Sequence, residues 1–493
     1  MWVFSTAGCR WLGAAGTLAV TAGGWAAGTL PVRGGAGLWQ PHGDAVTVAG
    51  AIVAYLGLTL LILAWWQYGR RLRAGARDRV GVTLVCWAAP LLLAPPLYSA
   101  DVYSYIAQGA MVLEGHDVYG AGPAMLRPGE LGYEAAASVG GHWTDTPAPY
   151  GPFFLVLAQA VVKLTGGAVV PAVLGMRLIA LLALLLIVWA VRGLAPERHR
   201  AGALWLAALN PLLLVHVVGG LHNDGLMAGL LLAGMLCAVR GRWLVGGALA
   251  GALIGLAMTI KSPAALGLLF AGIVIARRRG RLLYGLLPGA VAVAVAAGAS
   301  LLAGTGFGWL RTQSVAATIH TALSVTSDLG LGLGLLVSGE PEPVKGLVQK
   351  LGLLVAGAVI AAVAWRAWKG RVDPVLGLGL SLLALVALSP MVQPWYALWG
   401  TCAVAAVAWG GRLGQVLAVV SAGLAYETAP SGHTPWYGFV AAGAVVAAGL
   451  WWARREPWGQ GREAEGADGR VTLPAQAARA GERERSATSR HPS

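Results

Sequence analysis

Apolar residues along this chain come in long unbroken runs, not in alternation and not in narrow helical stripes. A helix needs about 20 mostly apolar residues to cross a bilayer. Runs of this kind, some of them short, lie near 11–30, 45–66, 80–97, 172–191, 203–218, 225–239, 243–260, 263–276, 282–303, 347–365, 374–388, 396–410, 414–428 and 436–452. The pattern predicts an all-α polytopic membrane protein with about fourteen transmembrane helices.

The polar stretches between the runs are of two kinds, and they alternate. One kind is rich in arginine. Arg70, Arg71, Arg73, Arg77 and Arg79 follow the second run, and Arg192, Arg198 and Arg200 the fourth. Arg240 and Arg242, then Arg277 to Arg279 with Arg281, then Arg366, Lys369 and Arg371, then Arg412, and finally Arg454 and Arg455 continue the series. Every even-numbered run thus ends in positive charge, and the positive-inside rule puts these loops and both termini in the cytoplasm. The other kind is poor in basic residues. Two of these stretches are long, 98–171 and 304–346, and shorter ones sit at 219–224, 261–262, 389–395 and 429–435. Residues 151–168 are apolar enough to cross, but a crossing there would move every later arginine cluster outside. Parity therefore predicts an interfacial helix on the outer surface.

Four regions follow. Residues 1–97 form N-terminal membrane helices, 98–171 an extracytoplasmic loop with the interfacial helix, and 172–453 a membrane helix bundle. Residues 454–493, polar and mixed in Arg and Glu, read as a disordered cytoplasmic tail. A small-residue cleavage site near Ala26-Ala27 is visible, but an uncleaved first span is the expectation.

Composition sharpens the class. Of 493 residues, 57% are hydrophobic and 11% charged, where soluble domains carry roughly 25% charged residues. A soluble enzyme, a disordered scaffold and a coiled coil are excluded. The net charge of +14 sits in the loops between spans. It forms no basic face on a soluble domain, so nucleic acid is not an expected partner. Cys9, Cys86, Cys237 and Cys402 are scattered, with no CxxC spacing and no disulfide framework.

The residues with chemistry to offer fall on the outer loops. Asp101-Val102-Tyr103-Ser104-Tyr105 opens the first, followed by Gln108, Asp117 and the Trp143 to Pro152 stretch with Tyr150. Aromatic faces stack on sugar C–H surfaces and carboxylates accept hydroxyl bonds or protons, although an interfacial aromatic belt accounts equally for the rings alone. An acid at the mouth of a span, such as Asp101, is costly unless water or a partner meets it. His222-Asn223-Asp224 fills a short loop and suits a cation, a phosphate or a sugar, or simply the cap of the next helix. Lys261 is a lone outer cation that either snorkels or neutralises a lipid phosphate. Arg311, beside Trp309, has a planar fork suited to phosphate. In Ser389-Pro390-Met391-Val392-Gln393-Pro394-Trp395-Tyr396, two prolines break the helix and aim Gln393 and Trp395 outward. Tyr426-Glu427 and Ser431-Gly432-His433 carry too little pattern to assign.

No Walker-type loop exists, and ATP and sugar nucleotides stay in the cytosol. An outward-facing enzyme must therefore draw on a donor delivered in the lipid, such as a polyprenyl-phosphate sugar. Two rival classes are a secondary transporter, which would place charges mid-span on broken helices, and a flippase of lipid-linked sugars, which needs a polar path through the bilayer. A third rival is the same enzyme class with another donor sugar, such as arabinose or glucose.

At these motifs the chain resembles the polyprenol-phosphomannose-dependent α-1,6-mannosyltransferases of actinobacteria. Asp101 to Tyr105 with Ala107-Gln108-Gly109, Thr146 to Pro152, His222-Asn223-Asp224, and Ser389-Pro390 with Gln393 to Tyr396 carry the resemblance, over about 98–396. It implies the C-type glycosyltransferase membrane fold, a catalytic acid in the first outer loop, and elongation of the α-1,6-mannan core of lipomannan and related lipoglycans. The family tends to have Asp-Pro-Tyr where this chain has Asp117-Val118-Tyr119, and three spans precede the loop here where C-type enzymes often have one. On this reading Asp101 is the general base with Asp117 next in line, and Lys261, Arg311 and His222 offset charge on the phosphate. Tyr103, Tyr105, Gln108, Trp143, Tyr150, Asn223, Asp224, Gln393, Trp395 and Tyr396 contact substrate. The partners are a polyprenyl-phosphate sugar donor, a glycan or lipoglycan acceptor, and the lipid bilayer of the cell membrane, with the active site facing outside. No cofactor or bound metal is required, and a divalent cation is allowed.

Overall fold

The computed structural model describes residues 5–313, 315, 319–337 and 339–458. The tail expected at 454–493 lies outside the described residues from 459 onward. Each apolar run of the sequence carries a helix, and no strand occurs among the described residues. Five helices are long and apolar enough to cross a bilayer: Asp44–Arg73, Val169–Leu194, Leu282–Leu302, Pro341–Trp368 and Trp436–Arg455. Val80–Leu91, Trp243–Met258, Pro374–Ala387 and Arg412–Leu424 are apolar but shorter. The chain is a helical membrane protein.

The residues expected to be an interfacial segment form the 14-residue helix Pro152–Thr165. Pro152 starts it, where the missing N–H is no loss, and Gly166 at φ 62 ends it in the left-handed conformation that suits glycine. It packs on Asp101–Leu113.

Two boundaries differ from the sequence expectation. The third helix, expected over 80–97, stops at Leu91. Pro90, Pro95 and Pro96 lack N–H groups, so this stretch cannot keep its helical ladder. The carbonyls released by the break find donors. Arg177, buried in Val169–Leu194, donates Nη1 to Leu92 O at 2.8 Å and Ala94 O at 2.6 Å. Thr21 bonds to Pro90 O at 2.9 Å and Trp25 to Leu93 O at 3.1 Å. Irregular backbone at membrane depth is tolerated only with such partners. The 304–346 stretch also carries a helix, Val325–Val337, where a plain loop was expected.

A third feature is a bend of 52° between Glu197–Ala207 and Pro211–Gly219. Asn210 fills the gap before Pro211, accepting from Leu212 N at 3.0 Å and donating to Leu206 O at 3.1 Å and Ser421 Oγ at 2.9 Å. The segment continues as a π-helical turn, Leu214–Gly219, and Leu221 at φ 62 swings the chain into His222. A non-glycine residue in that conformation is uncommon.

Small residues let the first two helices approach closely. Thr6–Ala27 lies against Asp44–Arg73, and a Cβ on Gly57 would stand 2.6 Å from Gly16 O. Overpacking of this kind is destabilising by about 1–3 kcal/mol. Gly57→Val should therefore lower the thermal unfolding temperature in detergent, while Gly357→Ala, which meets open space, should leave it unchanged or higher.

The arginines and a large cavity occupy opposite ends of the same helices. Leu266–Arg279 has Leu266 and Leu269 on the cavity wall and Arg277 to Arg279 at its far end. Arg412–Leu424 starts at Arg412 and runs toward Glu427, again on the cavity wall.

Candidate active site

The cavity measures about 1360 Å³, more than a drug-sized ligand pocket of roughly 300–1,000 Å³. Of the residues expected from the sequence to act, it is lined by Asp101, Trp143, Tyr150, Lys261, Gln393, Trp395 and Tyr396.

Asp101 is delivered by the break described above. After the prolines the backbone passes through Tyr98, at φ 61, whose N–H donates to Pro430 O at 2.9 Å. Ser99 Oγ accepts from Asp101 N at 3.1 Å, and the helix Asp101–Leu113 begins. An acid in a first helical turn is favoured by the exposed N–H groups there. Tyr105, one turn on, donates to Asp101 Oδ2 at 3.4 Å, and His222 Nδ1 stands 3.3 Å from the same oxygen. The His222 contact lies off the hydrogen-bond axis, so both ring nitrogens lack a hydrogen-bond partner. Burial pushes the Asp101 carboxyl upward, but the His222 contact, Lys261 and Ser99 outweigh it and hold it below the usual carboxylate range. With its side chain 20% exposed, Asp101 presents an ionised oxygen to the cavity.

His222 itself is fully buried, stacked on Trp395 with ring centroids 3.6 Å apart. It does not line the cavity. The expectation that it offsets phosphate charge does not match this placement: its contacts are Asp101 and Trp395. Asn223 lies behind it against a void of about 10 Å³, room for little more than one water.

Asp224 opens the helix Asp224–Arg240 and is also held back from the cavity. Its carboxylate takes Lys261 Nζ at 2.7 and 2.8 Å and Trp399 Nε1 at 2.8 Å. Lys261 does reach the cavity, with Nζ 4.8 Å from the Tyr396 ring centroid and 5.8 Å from that of Tyr150. Its burial works against the charge, but Asp224 and Tyr396 more than offset it and raise the pKa above the ordinary lysine value. The ammonium is thus kept charged and aimed by one carboxylate while its aromatic neighbours shield it.

The remaining expected residues are apart from the cavity. Asp117 is exposed and accepts from Tyr119 N at 3.0 Å, the turn bond an aspartate makes with its own backbone. Tyr103 donates to Thr29 O at 2.6 Å and ties the first loop to the N-terminal helix. Gln108 is buried with neither side-chain atom hydrogen-bonded. Arg311 is exposed, while its neighbours Thr312 and Gln313 line the wall. Among the described residues, no three His, Cys, Asp or Glu side chains converge to hold a metal ion.

Sequence reasoning missed Trp399, one helical turn beyond Trp395, and Arg177, a charge inside an expected span that anchors the backbone ahead of Asp101. It left Glu427, Ser431 and His433 unassigned, yet all three line the cavity. The signal for them was present as polar residues at the end of an apolar run, without spacing to link them to Asp101.

Comparison with known proteins identifies the family. Residues 10–277 match the family model described as "Alpha-(1->6)-mannopyranosyltransferase, N-terminal domain", and 320–455 match "MptB C-terminal domain". The chain is 36% identical over 436 residues to a protein of Mycolicibacterium smegmatis named probable alpha-(1->6)-mannopyranosyltransferase, covering 79% of this chain and 77% of that one. It is 35% identical over 412 residues to alpha-(1->6)-mannopyranosyltransferase A of Mycobacterium tuberculosis, covering 79% and 78%. It is 31% identical over 434 residues to alpha-(1->6)-mannopyranosyltransferase B of Corynebacterium glutamicum, covering 79% and 71%. With both halves of its membrane domain matched and a carboxylate and an ammonium facing one cavity, the chain belongs to the alpha-(1->6)-mannopyranosyltransferase family of membrane enzymes.

Proposed function

We propose that this enzyme transfers mannose from a polyprenyl-phosphate donor to a hydroxyl of an extracytoplasmic glycan or lipoglycan, with inversion at the sugar carbon, and so elongates an α-1,6-mannan. The observation that carries the reading is the pairing of Asp101 and Lys261 on one cavity wall system, at the end of the bundle away from the arginines. The arginine clusters support a cytoplasmic far end, and hence a cavity that opens outside the cell membrane. We also propose about fourteen spans, supported by the fourteen apolar runs of the sequence, and the C-type glycosyltransferase fold, supported by the resemblance of the loop motifs.

The chemistry needs one base. Asp101 accepts the proton of the acceptor hydroxyl as its oxygen attacks the sugar carbon. The bond from that carbon to the phosphate oxygen breaks, and the phosphate leaves with the electron pair. Lys261 meets the charge that develops on the leaving phosphate. The phosphate is already a good leaving group, so a second carboxyl, as a glycosidase requires, is unnecessary. Tyr150, Trp395 and Tyr396 offer faces for the sugar. His222 and Tyr105 hold Asp101 in place.

The test is to incubate membranes holding the full chain with radiolabelled polyprenyl-phosphate mannose and a short α-1,6-linked mannose oligosaccharide. The expected product is the acceptor extended by one α-1,6-linked mannose. Label transferred only from another lipid-linked sugar would assign a different donor, and no transfer from any would sink the reading.

A further inference from the structure

Two chemically different segments meet at the cavity wall. One carries Lys261. The other is the turn after Arg412–Leu424, which brings Glu427, Thr428, Ser431 and His433 to the wall. Residues 425–435 contain no lysine or arginine. The turn itself therefore offers no cation to a phosphodiester. Two hydroxyls, a carboxyl and an imidazole side by side suit a neutral polyol, whose hydroxyls both donate and accept.

Three observations turn this into a built subsite. Glu427 is 3% exposed, and its Oε2 takes the Thr428 hydroxyl at 2.6 Å, so the carboxyl is fixed at the cavity edge. Ser431 Oγ and His433 Nδ1 lie 2.7 Å apart in the same turn. The turn is also locked to the segment that carries the base. Tyr98 N donates to Pro430 O at 2.9 Å, and a Cβ on Gly432 would stand 3.1 Å from the Ser99 Cα. Asp101 follows two residues after Ser99, so the turn is held beside the segment that carries the base.

We propose that Glu427, Thr428, Ser431 and His433 form the acceptor subsite, binding the hydroxyls of the terminal sugar and presenting one of them to Asp101. The proposal rests on the donor and acceptor roles assigned above. It divides the cavity by charge: phosphate toward Lys261, neutral glycan toward the 427–433 turn.

The test separates the two substrates. With the full-length protein, KM for the mannose oligosaccharide and KM for polyprenyl-phosphate mannose are measured for wild type, Glu427→Ala and the double variant Ser431→Ala with His433→Ala. Any transfer of mannose to water without acceptor is measured as well. Loss of a sugar hydrogen bond weakens binding by about tenfold. Acceptor KM should rise by about that factor in both variants, with donor KM and transfer to water unchanged. The double variant alters a solvent-facing pair and decides the matter if Glu427→Ala does not accumulate. Unchanged acceptor KM, or a rise in donor KM of the same size, overturns the subsite. Wild-type enzyme that consumes no donor, with or without acceptor, instead overturns the functional reading on which the subsite stands.

Discussion

Asp101→Asn should abolish nearly all mannosyl transfer while leaving the protein folded and able to bind donor. The asparagine keeps the shape and an accepting oxygen for Tyr105, but it cannot take a proton. Loss of a general base slows a reaction by typically 100- to 10,000-fold. The wild-type carboxyl is held below the usual range by His222 and Lys261 against its burial. It is therefore deprotonated at neutral pH, and the base is lost only as pH falls through that depressed value. Turnover at saturating substrates is the measurement. Retention of more than about a tenth of wild-type turnover, far above what loss of a base permits, would remove Asp101 from the role. Asp117→Asn is the control: its carboxylate closes a local turn on the protein surface, so transfer should fall little.

Lys261→Ala should act twice, on donor use and on stability. The substitution strands the Asp224 carboxylate, which is 1% exposed and bonded on both oxygens to Lys261. Removing one partner of a buried ion pair is destabilising by about 3–5 kcal/mol. Trp399 Nε1, 2.8 Å from Asp224 Oδ1, softens that loss without replacing the charge. Adding Asp224→Asn should restore much of the lost stability, since an amide needs no counter-charge. It should not restore donor use, because the ammonium facing the cavity is still missing. Thermal unfolding in detergent and transfer at limiting donor separate the two effects. A double variant that recovers both would mean that Lys261 serves Asp224 alone. Arg311→Ala, a substitution off the cavity wall, should leave donor use close to wild type.

The sequence by itself determined the class of the protein and the position of its helices. A membrane-spanning helix is a local object: it satisfies its own backbone hydrogen bonds and announces itself by composition. For that reason the runs near 45–66, 172–191 and 436–452 reappear as Asp44–Arg73, Val169–Leu194 and Trp436–Arg455. The arginine alternation and the position of Asp101, Lys261 and Gln393 to Tyr396 in the segments between apolar runs were legible on the same grounds. The third run was expected to continue over 80–97, through Pro95 and Pro96, and nothing local said where the carbonyls freed by the break at Leu91 would go. Only the tertiary structure decided that, by carrying Arg177 to Leu92 and Ala94 from a helix more than eighty residues away. It likewise decided which members of His222-Asn223-Asp224 meet the cavity, and none of the three lines it. A triplet gives no hint that one residue stacks on Trp395, another is sealed, and the third is spent on Lys261. Partner choice between distant segments depends on packing that no local pattern encodes. Glu427 and Asp101 lie more than three hundred residues apart in the chain and on one cavity in the fold. Helices fold by local rules, whereas an active site is assembled from their ends, and only the packed bundle fixes which ends meet.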